Sequence, residues 1–175
     1  MKRQADKPDT AISVSIRPAA EGDIESIRDI YNYFVTRSTA TFADKEETIE
    51  DRRAWFDSHV SNNLPVLVAE LNGRVVGWAS LSYYHQRCAY RQSVELSFYI
   101  HHEFLSRGIG KQLTEKLIQA ARENGCHCIL SLVCSENDAS IALLNKFGFV
   151  AVGDLKEVGR KFDRWLNVII LQKML

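Results

Sequence analysis

Glu95 is the residue whose type and setting most clearly suit chemistry. It interrupts the apolar segment Ser93–Ile100 (SVELSFYI), where a carboxylate is costly unless it has a partner or a chemical task. A carboxylate can bind an ammonium group and accept its proton, and partial burial would raise its pKa toward a useful range. The alternative is a structural ion pair with Arg87 or Arg91, and the residues alone leave both interpretations open.

A second segment suited to chemistry is residues 106–111 (SRGIGK), where glycines stand at the start of a predicted helix. Glycines there let a ligand approach the backbone, and the free N–H groups of a first helical turn form an anion site. Arg107 and Lys111 can add positive charge, so a pyrophosphate is the natural occupant. Glycine also begins helices for steric reasons alone. The spacing fits neither a P-loop nor a dinucleotide fingerprint, whose third glycine would stand at Leu113.

The elements that must position these residues follow from hydrophobic periodicity. The pattern predicts a strand, two helices, three strands, a helix, a strand, a helix and two strands, which is an α/β (α+β) fold. Asn72-Gly73 predicts a hairpin, and the unit that runs from the Glu95 strand through the glycine-initiated helix predicts a parallel pair. We therefore expect a mixed sheet of about seven strands. Asp23 and Thr48 are the predicted N-caps of the first two helices, with Asp51 completing a capping box.

The composition limits the classes of function. A chain of 175 residues predicts one domain, which we place at residues 12–175 after a disordered tail at residues 1–11. Lys plus Arg and Asp plus Glu are balanced at 22 each, which argues against non-specific nucleic-acid binding. No apolar run approaches the roughly 20 residues of a membrane span, and no signal peptide is recognisable, so we expect a cytoplasmic protein.

Three of the four cysteines stand close together, and Cys126, His127 and Cys128 are conceivable metal ligands. A zinc site needs paired ligands at wider spacing, so we interpret these cysteines as buried strand thiols and expect no metal.

Several motifs together give the sequence a family resemblance. The chain resembles the GNAT superfamily of acetyltransferases, and within it the phosphinothricin and methionine sulfoximine N-acetyltransferase group, from about residue 16 to the end. The motifs that carry the resemblance are residues 38–42 (STATF), 52–56 (RRAWF), 89–95 (AYRQSVE), 107–110 (RGIG), 136–149 (ENDASIALLNKFGF) and 157–167 (EVGRKFDRWLN).

The resemblance implies a GNAT fold with about four helices around a twisted sheet. Acetyl-CoA would enter a V-shaped opening between two parallel strands, and Glu95 would be the catalytic residue. A backbone N–H near Tyr99 would stabilise the developing oxyanion. Asn137 would contact the cofactor near its thioester, although a plain helix cap is the other interpretation of that residue. The implied cofactor-binding residues are Phe98, Tyr99, Ile100, Ser106, Arg107, Gly108, Ile109, Gly110, Lys111 and Asn137.

The substrate would lie beside the loop that precedes the Glu95 strand. The family uses arginines there to clamp the acidic end of its substrate, and a bidentate guanidinium suits a carboxylate or phosphinate. This chain keeps Arg87 but has His85 in place of a second arginine that many relatives have, which weakens the expectation of phosphinothricin selectivity. The implied substrate-binding residues are Gln86, Arg87, Cys88, Tyr90 and Glu95.

Two further positions depart from the family pattern. Leu105 stands where the superfamily signature has Gln or Arg, and Leu144 stands where some relatives have a histidine near the thioester. The expected function is direct acetyl transfer from acetyl-CoA to the amino group of a small amino-acid-like substrate. The alternatives are a protein or peptide N-acetyltransferase and a non-catalytic CoA-binding regulator. Relatives imply a homodimer, and neither nucleic acid nor membrane is expected as a partner.

Overall fold

The structure is a computed structural model that describes residues 12–175. Residues 1–11, predicted as a tail, lie outside the described residues. The helices are α1 (Ile24–Arg37), α2 (Ile49–Ser61), α3 (Ile109–Glu123) and α4 (Asp138–Lys146). The strands are β1 (Ser15–Pro18), β2 (Val66–Leu71), β3 (Arg74–Tyr83), β4 (Ser93–Ile100), β5 (Cys128–Cys134), β6 (Val150–Lys161) and β7 (Arg164–Met174). None of the helices in the described range is long and apolar enough to cross a membrane.

The seven strands form one mixed sheet in the order β1-β2-β3-β4-β5-β7-β6. Adjacent strands are antiparallel except β4 and β5, which run parallel. Their pairing covers only Ser93–Glu95 against Cys128–Leu130, after which the two strands diverge. The predicted mixed sheet with a V-shaped opening is therefore confirmed, and the opening begins immediately after Glu95.

Two layers of helices cover the sheet and enclose separate apolar clusters. Helices α3 and α4 contribute Leu113, Leu117 and Leu144 to a core on one face. Helices α1 and α2 contribute residues such as Ile27 and Phe56 to a core on the other face. Since side chains alternate along a strand, each residue of β4 is assigned to one of these two faces.

The predicted caps have different outcomes. At α2, Thr48 Oγ1 accepts from the Asp51 N–H at 3.1 Å and Asp51 accepts from the Thr48 N–H at 2.9 Å, so the capping box is confirmed. At α1, Asp23 occupies the predicted N-cap position, but its side chain accepts no hydrogen bond from a first-turn amide. Asp23 instead accepts two bonds from Arg17, at 2.6 and 2.9 Å. A bidentate, charge-assisted pair is stronger than a single cap hydrogen bond.

The outer strands differ in length from the sequence prediction. The first strand, predicted at residues 12–17, begins only at Ser15 because Ile12 bonds elsewhere. Its N–H donates to the Arg107 carbonyl at 3.1 Å, and Gln112 Nε2 donates to its carbonyl at 2.8 Å. The last two strands, predicted at residues 149–158 and 164–171, extend to Lys161 and Met174: β6 stays paired with β7 as far as Lys161, and Met174 pairs with Cys128 of β5.

Candidate active site

Glu95 lies at the apex of the opening between β4 and β5. It is the last residue of β4 that pairs with β5, opposite Leu130. Its side chain is half-buried, and burial raises the pKa of this carboxyl. Over residues 12–175 no ion pair includes Glu95: Arg87 is exposed, and Arg91 lies over the Tyr83 ring at 5.0 Å. The structural ion pair considered as the alternative role is therefore not formed.

The peptide groups of β4 alternate between its two neighbours. The Ser93 carbonyl accepts from the N–H of Tyr84, just after β3, at 3.2 Å, and the N–H of His101, just after β4, donates to the Val76 carbonyl of β3 at 2.9 Å. The Leu96 carbonyl, by contrast, accepts from Ser131 Oγ of β5 at 3.1 Å. Because β3 and β4 pair in continuous register, the N–H and C=O of Tyr99 face β3 with the other odd-numbered residues.

The same alternation turns the peptide groups of Phe98 and Ile100 toward the opening. β5 has already diverged at this level, so these groups form an edge to which an extended ligand can bond as an added strand. The resemblance implies three cofactor-binding residues on β4, which would pair through their backbones with the pantetheine arm, and Phe98 and Ile100 have the orientation that this pairing requires. Tyr99 instead directs its side chain to the α1 and α2 face.

The start of α3 presents backbone amides next to this edge. Ser106 and Gly108 have φ values of 59° and 76°, so the loop curls tightly before the helix begins. The first intrahelical bond runs from Gln112 N–H to the Gly108 carbonyl at 3.3 Å, which leaves the amides of residues 109–111 without a helical acceptor. Such a curled loop and helix terminus fit a pyrophosphate.

The charged side chains of this loop are placed to support an anion. Arg107 and Lys111 are both exposed, and Arg107 lies 5.2 Å from the centre of the Phe104 ring. Neither forms an ion pair with an acidic residue of the described range. The segment can therefore add positive charge beside the helix amides.

Asn137 is the N-cap of α4, as one of its two interpretations requires. Its side-chain oxygen accepts from the Ser140 N–H at 3.2 Å, and its own N–H donates to the Cys134 carbonyl at 2.9 Å. The cap places Asn137 just beyond the end of β5, on the far side of the opening from β4. Contact with a cofactor remains a prediction.

An aromatic cluster packs against the face of the sheet on which Glu95 lies. Tyr99 stacks on Trp78 with ring centres 5.0 Å apart and meets Tyr31 edge to face at 5.2 Å. Arg52 of α2 is 2% exposed, lies over the Tyr31 ring at 4.6 Å and pairs with Glu47 at 2.6 Å. The sequence analysis assigns Arg52 no individual role, although its spacing of three and four residues from Trp55 and Phe56 places it on the same face of the helix.

The segment that joins α1 to α2 crosses the opening on this face. On one side the Tyr99 hydroxyl donates to the Ala40 carbonyl at 3.3 Å. On the other, Lys161 of β6 donates to the Thr41 carbonyl at 2.5 Å. Since β4 and β6 lie on opposite sides of the opening, the STATF motif forms a wall over it.

The predicted substrate residues lie in the loop between β3 and β4, which includes a short 3-10 helix at Cys88–Tyr90. His85 packs against the Tyr90 ring at 5.0 Å, and its Nδ1 accepts from the Arg87 N–H at 3.1 Å. The loop leads directly into β4, so it lies at the end of the strand where Glu95 stands. The predicted residues in this loop are all exposed, whereas the fifth predicted residue, Glu95, is half-buried in β4; the loop residues are Gln86, Arg87, Cys88 and Tyr90.

The two departures from the family pattern have clear structural settings. Leu105 is 49% exposed in the loop that precedes α3, whereas Leu144 is fully buried. The cysteines of the described range are free thiols, with Cys128 and Cys134 buried. No group of three His, Cys, Asp or Glu residues converges on a metal-sized site in that range.

Comparison with known proteins identifies the family. The acetyltransferase (GNAT) family model matches residues 27–149. The L-amino acid N-acyltransferase MnaT of Escherichia coli is 36% identical over 162 residues, 93% of this chain and 94% of its own length. The L-methionine sulfoximine/L-methionine sulfone acetyltransferase of Salmonella typhimurium is 35% identical over 93% of this chain and 95% of its own. The chain belongs to the GNAT acetyltransferase family, as the sequence resemblance predicts.

A solved relative shows the same fold with the cofactor. The GNAT superfamily phosphinothricin acetyltransferase of Sinorhizobium meliloti, in complex with AcCoA, superposes with a TM-score of 0.91 at 31% identity. The match covers 94% of this chain and 89% of that one. The predicted fold class is therefore confirmed at the level of the family.

Proposed function

We propose that this protein is an N-acetyltransferase that acetylates the amino group of a small, amino-acid-like substrate with acetyl-CoA. The observation that carries the proposal is the position of Glu95, a half-buried carboxylate at the apex of the opening between β4 and β5. The names of the relatives from Escherichia coli and Salmonella typhimurium support an amino acid or amino-acid analogue as the acceptor.

Backbone groups of the site would bind acetyl-CoA and stabilise the charge that develops during transfer. Acetyl-CoA supplies an acetyl thioester whose thiolate is a good leaving group. The amides of residues 109–111 hold the pyrophosphate, and the free edge of β4 at Phe98 and Ile100 aligns the pantetheine arm. The N–H of Phe98 faces the opening, so it is the donor best placed to stabilise negative charge on the acetyl oxygen.

Glu95 accepts a proton from the substrate ammonium group. Its carboxylate binds the substrate ammonium and takes one proton, which frees the nitrogen lone pair to form the C–N bond as the C–S bond breaks. The nitrogen loses a second proton on becoming an amide. One of the two protons balances the departing thiolate, and the other reaches solvent through Glu95. No cysteine is required as an acyl carrier in this scheme.

The loop between β3 and β4 would select the substrate. The guanidinium of Arg87 suits the acidic end of an amino acid, and its exposure leaves it accessible to a ligand. His85 cannot make a bidentate contact of this kind, so we expect an acceptor with one anionic group to be preferred over phosphinothricin.

Thiol release from acetyl-CoA tests the proposal over a panel of free amino acids, methionine sulfoximine, methionine sulfone, phosphinothricin and a short peptide. We expect release with at least one free amino acid or analogue, together with a product heavier by one acetyl group. The Arg87→Ala variant should raise KM for that acceptor and leave acetyl-CoA binding unchanged. Release with the peptide alone would support a peptide acetyltransferase, and CoA binding without any release would support a regulator.

We also propose that the protein is a cytoplasmic homodimer. Strand β6 is a sheet edge with exposed apolar side chains, including Val150 at 60%, Val152 at 52% and Val158 at 54% exposure. Such a patch favours association with a second copy. Light scattering should give twice the monomer mass, and Val152→Lys should reduce the measured mass to that of the monomer. A monomeric wild type at micromolar concentration would contradict the proposal.

The free thiols of the described residues suit a reducing compartment, and cell fractionation tests the proposed cytoplasmic location.

A further inference from the structure

A histidine and a serine near Glu95 form a hydrogen-bonded pair that the mechanism above does not use. His59 of α2 is buried; its Nδ1 lies 2.8 Å from the Trp55 carbonyl oxygen, and its Nε2 lies 3.1 Å from Ser82 Oγ. A carbonyl oxygen can only accept, so Nδ1 carries a hydrogen and Nε2 of the neutral ring is an acceptor. The Ser82 hydroxyl therefore donates its hydrogen to His59.

The surroundings keep His59 in this neutral form. Burial is the main cause that lowers the pKa of His59. The bond to the Trp55 carbonyl opposes burial in part, and the nearby Arg52 guanidinium lowers the pKa by a smaller amount. The charged and titratable groups around His59 and Glu95 are Arg52 of α2, Tyr31 of α1 and Tyr99 of β4. An imidazolium, which would donate through Nε2 and reverse the bond, is disfavoured in this setting.

Ser82 stands directly opposite Glu95 in the β3–β4 register. Opposed residues of an antiparallel pair share a face, with Cβ atoms about 4.5–5.5 Å apart. Because its hydrogen is committed to His59, Ser82 Oγ can offer only lone pairs to a group that approaches it from the Glu95 side. These repel a carboxylate, but they accept a hydrogen bond from a protonated carboxyl group.

We propose that Ser82 and His59 are positioning residues that stabilise the protonated form of Glu95 and thereby make Glu95 a stronger base. The inference rests on the proposed function of Glu95 as the proton acceptor. When the substrate ammonium transfers its proton to a Glu95 oxygen, the new O–H donates to Ser82 Oγ, while the Ser82 O–H continues to donate to His59 Nε2. No bond other than the N–H and O–H of that transfer breaks or forms.

The pH dependence of kcat/KM tests this role. Ser82→Ala should move the acid limb of the profile to lower pH, because Glu95 loses the group that favours its neutral form. It should also lower the plateau by about 5- to 10-fold, the rate equivalent of one hydrogen bond. Ser82→Thr retains the hydroxyl, so its acid limb and its plateau should match those of the wild type. An acid limb that stays in place or moves to higher pH in Ser82→Ala would overturn the inference.

Ser80→Ala is the matched control. Ser80 lies two residues earlier on the same face of β3, is 2% exposed and pairs with Ser97 instead of Glu95. Its loss removes a buried hydroxyl from the same strand without touching the His59 contact. We expect an unchanged acid limb in Ser80→Ala, and a shift equal to that of Ser82→Ala would also contradict the inference.

A titration without substrate separates this inference from the proposed function. The carboxyl ¹³C signal of Glu95, assigned by its loss in Glu95→Gln, should titrate at lower pH in Ser82→Ala and in His59→Leu than in the wild type. A shift in protein that acetylates no member of the panel would support the hydrogen-bonded chain and refute the enzyme assignment. An unmoved titration in an active enzyme would refute the chain alone.

Discussion

The ring of Phe42 lies directly against the α-carbon of Gly159: a Cβ added at position 159 would be 2.1 Å from Phe42 Cε2. Phe42 ends the STATF motif, and Gly159 belongs to β6, so a contact between distant parts of the chain fixes the wall over the opening. The wall can close only because position 159 has no side chain.

Gly159→Ala should therefore push Phe42 away and displace the wall. Overpacking of this kind costs about 1–3 kcal/mol. We expect that loss in urea unfolding, together with a higher KM for the acceptor and little change in KM for acetyl-CoA. Gly22→Ala is the control, because no atom lies within 4 Å of an added Cβ there. Equal stability and equal KM in Gly159→Ala and the wild type would show that the wall does not depend on this contact.

Gly108→Ala tests the pyrophosphate loop. Gly108 has a φ of 76° at the start of α3, and Gly125 has a φ of 69° just beyond its end. An alanine in the left-handed region costs about 1–2 kcal/mol, so both substitutions should lower the free energy of unfolding by similar amounts. Only Gly108→Ala should weaken acetyl-CoA binding, by about tenfold in calorimetry, which corresponds to about 1.4 kcal/mol. Equal affinities in the two variants would remove Gly108 from the cofactor site.

Arg52 and Arg53 are adjacent in the sequence, but Arg52 is buried and Arg53 is exposed. The Arg52 side chain is 2% exposed and pairs with Glu47 at 2.6 Å, whereas Arg53 is 52% exposed and lies 4.0 Å from Glu21. Arg52→Met breaks a buried pair and should cost about 3 kcal/mol in urea unfolding. Arg53→Met should change stability by less than about 0.5 kcal/mol. Similar losses in both variants would show that the Arg52 contacts contribute little.

Glu95→Gln should stabilise the protein in a pH-dependent way. Burial raises the pKa of Glu95 in the folded state above its ordinary value. Between those two pKa values the folded chain binds more protons than the unfolded chain, so the free energy of unfolding falls as pH rises. Glu95→Gln has no titrating carboxyl at this position, so its free energy of unfolding does not fall for this reason. Its Tm should therefore exceed that of the wild type at pH 8 but not at pH 4. A Tm difference that is the same at both pH values would contradict the raised pKa.

Local signals in the sequence predict much of this fold. Asn72 and Gly73 have positive φ values of 52° and 78°, as their dipeptide predicts for a two-residue hairpin. Glu95 stands out in the sequence because a charge in an apolar strand needs a partner or a chemical task, although the residues alone do not decide between the two. The capping box is formed by Thr48 and Asp51, and this spacing of three residues can be recognised in the sequence.

Relationships between distant residues are what the sequence does not show. Asp23 looks like a cap until β1 brings Arg17 beside it. Ser82 and His59 meet only because α2 packs on β3, and neither residue type is unusual in its own segment. Pair interactions of this kind depend on the register of the sheet and the placement of helices, which periodicity alone does not fix.

The pH profile of kcat/KM in the wild type and Glu95→Gln, with saturating acetyl-CoA, tests the central claim most directly. We expect wild-type activity to fall as pH drops through the raised pKa of Glu95. The variant should lose about 100-fold or more at neutral pH. Its residual rate should rise steadily with pH as free amine accumulates, while its affinity for acetyl-CoA stays unchanged. A variant that keeps the wild-type rate and the wild-type acid limb would contradict the assignment of Glu95 as the proton acceptor.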